Sequence, residues 1–315
     1  MKFGFSSLLS VVVAVLLAGC SSGASKPVDN NHAKESVSVT KKVSKPTPVK
    51  VDKSKKLVTK LMKSTIQTAG GKTSVYVGLP RSNKHWQENN QVQRSASVIK
   101  LYILMATLAK VKEGKLSLNQ PVNISSRDTV GGTGSLSGTG IHSMQLGKLL
   151  NLMIKNSDNT ATNAMITQLG GVSKLNKAIK KRGFKQTSLK RKMLDYNALN
   201  SGRDNETSVA DLGKLLTKVS TGKLLGKTYD KLFLNYMRGN ANQTKLPARV
   251  SQPWVVHNKT GEFPDYGVQN DAAVFTHNSK KIVVVVLSQG SQIQRQTKAM
   301  ANLGYKLTNS KVLLK

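Results

Sequence analysis

Cysteine is all but missing from this chain: Cys20 is the only one among 315 residues. That excludes a disulfide framework and a thiolate metal site. Histidine is sparse as well, and His32, His85, His142, His257 and His277 are scattered without ligand spacing, so neither a metal hydrolase nor any metal cofactor is expected. No glycine-rich phosphate loop or dinucleotide fingerprint is present. The glycines at Gly131-Gly132-Thr133-Gly134 and from Gly138 to Gly140 lie between helical segments and read as a flexible cleft-lining loop. Acidic residues are few, 15 against 49 basic ones, for a formal net charge of +34. Such a field attracts anionic polymers, and a solvated basic surface accounts for the same excess. Aromatic residues make up only 5% of the chain. With no nucleic-acid-binding fold in view, nucleic acid is not an expected partner.

The apolar stretch Leu8 to Ala18 follows the basic start Met1-Lys2 and is too short to span a bilayer as a stable helix. It closes on Leu17-Ala18-Gly19-Cys20, which looks like a lipobox. Residues 1–19 are therefore expected to be a lipoprotein signal peptide, with Cys20 lipidated and the mature protein held at the extracytoplasmic face of the cell membrane. Residues 20–52 are mostly Ser, Lys, Val, Thr and Pro without an aromatic residue, and read as a disordered tether. A coil of about 30 residues would hold the remainder of the chain roughly 30 Å from the anchor. For an exported lipoprotein the anionic partners are lipids and wall polymers.

Three short motifs stand in order along residues 53–315. The first, Ser97-Val98-Ile99-Lys100, opens the apolar run to Ala106, which is hydrophobic nearly all round and reads as a buried helix with Ser97 in its first turn. Positions three apart share a helix face, so Lys100 can reach the Ser97 hydroxyl. Burial lowers the pKa of an ammonium and favours a proton-accepting amine. The same spelling at Ser38 to Lys41 and at Ser220 to Lys223 lacks this context. The second motif, Ser157-Asp158-Asn159, falls between two helical patterns, Met144 to Ile154 and Ala161 to Leu169. Asp158 suits a helix cap. The Ser157 hydroxyl can relay a proton, and the Asn159 amide can hold a substrate carbonyl. The third, Lys259-Thr260-Gly261, ends a strand-like run from Trp254 to Asn258. Gly261 permits close backbone approach, Thr260 can bond a carboxylate, and Lys259 adds positive potential. The backbone N–H groups of Ser97 and Glu262 form the natural oxyanion pair.

Order, spacing and context resemble the penicillin-recognising serine hydrolases, in particular the class A β-lactamase family. The resemblance covers residues 53–315. It implies an α/β fold in which an antiparallel five-stranded sheet, built from both chain ends and flanked by terminal helices, carries an inserted all-helical subdomain. The residues agree. Lys53 to Ala69 carries a helical stripe stopped by Gly70-Gly71, Thr73 to Leu79 and Gln91 to Arg94 suggest the first strands on either side of a turn, and Val98 to about Leu234 is mostly helix and loop. Trp254 to Asn258, Val268 to Thr276 and Lys281 to Ser288 read as further strands, followed by a last helix from about Ile293 to Leu307. The resemblance makes Ser97 the acylated nucleophile, Lys100 its base or relay, and Ser157 the shuttle to the leaving nitrogen. Asn159 would bind the substrate amide, and Lys259 and Thr260 its carboxylate. The implied partner is a small-molecule β-lactam or a peptidoglycan stem peptide.

Two departures stand out. Class A enzymes carry a water-activating glutamate in a loop after the helical region, whereas Lys190 to Asn205 contains none. Asp195 and Asp204 are its only carboxylates; Asp195 would serve as the deacylation base or as a partner to the lysines around it. Gln269 stands where many members place a carboxylate-binding arginine, and a neutral amide bonds about half as strongly as a charged group. Loss of a positioned base slows deacylation by roughly 10²–10⁴-fold. The readings left open are a slow β-lactamase, a D,D-peptidase-like penicillin-binding protein, and a non-catalytic lipoprotein that binds wall polymer.

Overall fold

The computed structural model describes residues 52–313. The expected signal peptide, the lipidated Cys20 and all of the tether except Asp52 lie outside these residues. Helix α1 (Lys53–Ala69) turns the expected stripe inward, burying Val58, Leu61, Met62, Thr65 and Ala69. Asp52 caps its start, accepting from the Ser54 N–H at 3.0 Å and the Lys55 N–H at 3.3 Å. Strands β1 (Lys72–Leu79), β2 (Lys84–Glu88) and β3 (Gln93–Arg94) come next.

The middle of the chain contains α2 (Lys100–Lys112), β4 (Pro121–Asn123), β5 (Ser143–Gln145), α3 (Leu146–Lys155), α4 (Asn159–Gln168) and α5 (Gly171–Lys181). It continues through α6 (Tyr196–Asn200), β6 (Glu206–Thr207), α7 (Val209–Ser220) and α8 (Lys227–Met237). The chain then returns as β7 (Val255–Phe263), β8 (Val268–His277), β9 (Lys280–Gln289) and α9 (Ile293–Thr308).

Five of these strands form one antiparallel sheet in the order β2-β1-β9-β8-β7. Its strands come from both chain ends, and a mostly helical part is inserted between them, as the resemblance implied; that part is not all helical, because Pro121–Asn123 and Ser143–Gln145 satisfy each other's backbone groups as the two-stranded sheet β4-β5. One edge departs from the sequence reading. The stretch between β1 and β3 is not only a turn; it contains β2, an edge strand whose residues Lys84 to Glu88 are largely exposed. An edge strand facing water needs no apolar alternation, which is why Lys-His-Trp-Gln-Glu carries none. Gln93 and Arg94 pair instead with Thr207 and Glu206 of β6, away from the large sheet.

Both faces of the sheet are covered. Val284 and Val286 of β9 pack with Met62 of α1 and Met300 of α9, while Val283, Val285 and Leu287 join the core beneath the helical part. A central strand buried on both sides has no polar face to alternate with, so Ile282 to Leu287 reads as an unbroken apolar run. Helix α2 is enclosed in the same way, with Lys100 through Ala109 all buried.

Candidate active site

Ser97 lies in a 3₁₀ turn, Ala96–Ile99, that leads into α2, rather than in the first α-helical turn. Ala96 before it has φ 43, a left-handed conformation that costs a non-glycine residue energy and is met mostly at functional sites. Lys100 begins the α-helix with no exposed surface. Its Nζ donates to the Ser157 carbonyl at 2.6 Å, to Ser157 Oγ at 3.1 Å and to Asn159 Oδ1 at 3.0 Å. Burial pushes the Lys100 amine well below the ordinary lysine range, the nearby Lys259 pushes it the same way, and Asp158 opposes them.

Ser157 sits between α3 and α4 at φ 55, a second left-handed non-glycine residue. This conformation presents its hydroxyl to two amines at once, since Lys259 Nζ also donates to Ser157 Oγ at 3.1 Å. Lys259 is fully buried in β7 and also bonds the Thr260 carbonyl at 2.8 Å. Burial brings its pKa down to about 7; Glu262 and Asp271 pull upward and Lys245 pushes further down. Two full positive charges flanking one hydroxyl repel each other, so the arrangement favours a neutral amine on at least one side.

Asp158 is the expected cap of α4. It accepts from the Ala161 N–H at 2.7 Å and reaches across to the N–H groups of Ser135 and Leu136 at 2.7 and 2.9 Å. The glycine loop is thereby held over the cleft rather than left free. At Gly134 (φ 115) an added Cβ would lie 2.2 Å from the Asp158 carboxylate, so only glycine fits. Asn159 donates to the Gly131 carbonyl at 3.3 Å while its Oδ1 accepts from Lys100.

The third motif does not end its strand: β7 continues through it to Phe263, at the edge of the sheet beside the Ser97 turn. A Cβ on Gly261 would lie 2.9 Å from Ser97 N, 3.0 Å from Val98 N and 3.0 Å from Ser95 O. The missing side chain is what lets the strand meet the Ser97 turn. Thr260 is buried next to it. Ser97, Thr133 and Glu262 are shared by two cavities, of about 270 and 350 Å³. Volume alone does not mark this place, because hollows of about 500 and 830 Å³ elsewhere contain none of the motif residues.

The loop from Lys190 to Asn205 is pinned at several points. Arg191 pairs with Asp204 at 2.7 Å, Arg94 pairs with the same carboxylate, and Lys192 pairs with Asp128 at 2.6 Å. Asn163 holds Met193 through both backbone groups, at 2.8 and 3.2 Å. Met193 and Leu194, the latter at φ 58, line the cavity with Ser97 and Asn159. Asp195 is not brought to this group. It is exposed and caps α6, accepting from the Ala198 N–H at 3.0 Å. Neither of the alternatives drawn from sequence describes that contact.

Several residues at the site escaped the sequence reading. Lys245 is buried beneath β7 and β8 and pairs with Glu262 at 2.9 Å. Asp271, fully buried, accepts from Asn258 Nδ2 at 3.1 Å and the Leu246 N–H at 3.1 Å; burial pushes its pKa up to about 6 against the pull of Lys245. Asn270 donates to the carbonyls of Arg94 and Ser95 at 2.9 and 3.1 Å and so holds the chain entering the Ser97 turn. The available signal was the Asn270-Asp271 pair beside the apolar stretch Ala272 to Phe275 of the same strand. Gln269 is buried and stands opposite Glu262 in the β7–β8 pairing.

The sequence profile of the beta-lactamase enzyme family matches residues 55–310. The chain belongs to that family. Among its members, Beta-lactamase SME-1 of Serratia marcescens is 30% identical over 195 residues, 60% of this chain and 65% of that protein. The matched stretch spans 65% of the length of that protein and 48% of that of Beta-lactamase 1 of Bacillus cereus. An ancestral class A β-lactamase superposes with a TM-score of 0.68 at 25% identity, over 79% of this chain and 96% of its own. PBP-A shares the fold, with a TM-score of 0.72 at 24% identity over 80% of this chain and 95% of its own. The α/β architecture, a five-stranded antiparallel sheet with inserted helices, is therefore that of the class A β-lactamases.

Proposed function

We propose that this protein is a serine hydrolase of the cell envelope that opens β-lactams through an acyl-Ser97 intermediate and releases the product slowly. The observation that carries the reading is the Ser157 hydroxyl held 3.1 Å from both Lys100 Nζ and Lys259 Nζ beside the Ser97 turn. Deprotonated Lys100 keeps two N–H bonds to the Ser157 carbonyl and Asn159 and offers its lone pair to the Ser97 hydroxyl. Ser97 Oγ then adds to the lactam carbonyl, and the oxyanion is met by the N–H groups of Ser97 and Glu262. As the C–N bond breaks, Ser157 passes a proton to the leaving nitrogen and is resupplied through the lysines. Asn159 holds the side-chain amide of the substrate, and Thr260 and Lys259 lie at its far end.

Deacylation requires a base for water. The pinned loop offers Met193 and Leu194 to the cavity in place of a carboxylate, and Asp195 is committed to capping α6. The resulting loss of water activation is roughly 10²–10⁴-fold. The same apolar wall supports a second reading, a D,D-peptidase-like protein acting on a stem peptide, whose acylation uses the same residues. A lipid anchor at Cys20 would keep either activity at the outer face of the cell membrane, and the +34 charge supports contact with anionic wall polymer.

Intact-mass time courses of residues 52–315 with benzylpenicillin test the proposal. The expected result is an adduct of one penicilloyl group that persists, and none on Ser97→Ala. No adduct on the wild-type protein with any penicillin would exclude the reading and favour the wall-polymer-binding alternative. An adduct that clears at each turnover would place the water base elsewhere.

A further inference from the structure

Helix α1 turns a row of a single charge sign to solvent. Lys53, Lys56, Lys60 and Lys63 are all exposed and follow one another at intervals of three and four residues, which stacks them along one helix face. Val58, Met62, Thr65 and Ala69 are buried on the opposite face. Among the described residues none of the four lysines has an ion pair. The carboxylate that starts the helix, Asp52, is committed to capping α1 and to Lys84 at 2.8 Å. Helix α9, packed alongside, extends the same sign. Arg295 donates to the carbonyls of Thr68 and Gln67 at 3.2 and 3.4 Å, and Lys298 is exposed one turn further on. Neither helix contains an acidic residue.

Like charges three and four residues apart on a helix repel and weaken it, so the row does nothing for folding. A negative surface facing it turns that repulsion into attraction. The placement of the row identifies the surface. Among the described residues it is the stretch nearest to Cys20 along the chain, next to the point where the expected tether joins, and its four charges span about 15 Å. Helices α1 and α9 cover the face of the sheet that carries Val284 and Val286, whereas the inserted helices around Lys100 and Asn159 lie over the face that carries Val283 and Val285. A flat partner lying on α1 therefore leaves the Ser97 cleft uncovered.

We propose that the lysine row of α1 docks the folded part of this chain on a bilayer rich in anionic phospholipid, with the inserted helices and the Ser97 cleft turned outward. The docking rests on the Cys20 anchor of the proposed function for its place in the cell and is independent of the acyl-Ser97 chemistry. Each lysine held within a Debye length of the lipid phosphates, about 8 Å at physiological salt, adds to the attraction.

Vesicle co-sedimentation of residues 52–315, which contain the large sheet and both hydrophobic cores, tests the docking without any lipid on Cys20, so a failure of the anchor and a failure of the docking are read separately. Vesicles of phosphatidylcholine are compared, at fixed ionic strength, with an equal mixture of phosphatidylcholine and phosphatidylglycerol. The variant Lys53→Gln/Lys56→Gln/Lys60→Gln/Lys63→Gln is set against one with the same loss of charge on α5, Lys174→Gln/Lys177→Gln/Lys180→Gln/Lys181→Gln, whose lysines are also exposed. Glutamine has nearly the helix propensity of lysine. The wild-type protein is expected to bind the anionic vesicles and not the neutral ones, the α1 variant to weaken that binding at least about 30-fold and the α5 variant less than about threefold. Equal weakening by the two variants would make the attraction a property of net charge and overturn the proposal, as would equal binding of the wild type to neutral vesicles. No binding to anionic vesicles would overturn it too, and α1-dependent capture of poly(glycerol phosphate) in that case would assign the row to a wall polymer. If the fourfold α1 variant melts far below the wild type, Lys53→Gln/Lys56→Gln is read against Lys174→Gln/Lys177→Gln by the same criteria, with an expected difference of at least about fivefold.

Discussion

Ser157 joins the first and third motifs, since its hydroxyl meets both Lys100 and Lys259. Its left-handed backbone turns one hydroxyl toward two buried amines, and on the proposed mechanism removing that hydroxyl breaks the proton path while leaving Ser97 and Lys100 in place. Ser157→Ala is expected to slow penicillin acylation by roughly 10²–10⁴-fold, measured by stopped-flow or intact mass, with a folded protein of near-wild-type melting temperature. Lys100 sets the pH dependence of the same step. Its pKa is lowered by burial and by Lys259, and only the neutral amine accepts the Ser97 proton. Acylation should therefore set in well below the pH at which an ordinary lysine loses its proton, and decline as acid protonates Lys100. A rate that begins to rise only near pH 10 would contradict this assignment. Among these residues, Ser97, Lys100, Ser157 and Lys259 could be singled out from the sequence because each stands in a short motif with telling neighbours. Lys245 was not, since one lysine in a basic chain carries no local mark of burial.

Strand β7 and the loop from Lys190 to Asn205 form two walls of the site, and each is poised by a single feature. Gly261 lets β7 approach the Ser97 turn. In Gly261→Ala the new methyl would meet Ser97 N, Ser95 O and Val98 N at 2.9 to 3.0 Å, all backbone atoms with no side-chain freedom to yield. Relief takes a shift of a few tenths of an ångström, which should slow acylation by up to about 10²-fold, and crowding of this kind costs about 1–3 kcal/mol of stability. Both are measurable, by acylation kinetics and by urea unfolding. In the loop, Asn163 clamps the Met193 backbone while the Met193 side chain lines the cavity with Ser97 and Asn159. Met193→Glu would aim a carboxylate at the acylated serine, and loss of the penicilloyl adduct should accelerate by about 10²-fold or more. An adduct as persistent as in the wild type would show that the missing base is not what slows release. Element by element, the helices α1 and α9 and the apolar strand β9 were apparent from pattern. Strand β2 was hidden because an exposed edge strand has no buried face to impose alternation.

For the molecule as a whole, the buried charges make stability depend on pH. Lys259 has a folded pKa of about 7 against an ordinary value of 10.5. Between those values the unfolded chain holds a proton there that the folded chain has released, so folding stability rises as pH increases from about 7 toward 10. Thermal melts across that range should show the rise, and Lys259→Met should flatten its share of it; an equal slope in the variant would contradict the assignment. Asp271 acts in the opposite sense. Raised to about 6 by burial, it favours the folded state below its unfolded pKa of 3.8, and that contribution is lost as pH climbs through about 6. The amino-acid sequence carried the order of the motifs, the apolar helix after Ser97, the glycine at the strand edge and the absence of a loop glutamate, because each depends on neighbours along the chain. It could not place Lys100 and Lys259, 57 and 102 residues from Ser157, on either side of one hydroxyl. It could not join Glu262 to Lys245 or commit Asp195 to the α6 cap. Those contacts arise when the inserted helices close onto the sheet, and burial then changes the charge a side chain carries, which no local pattern encodes.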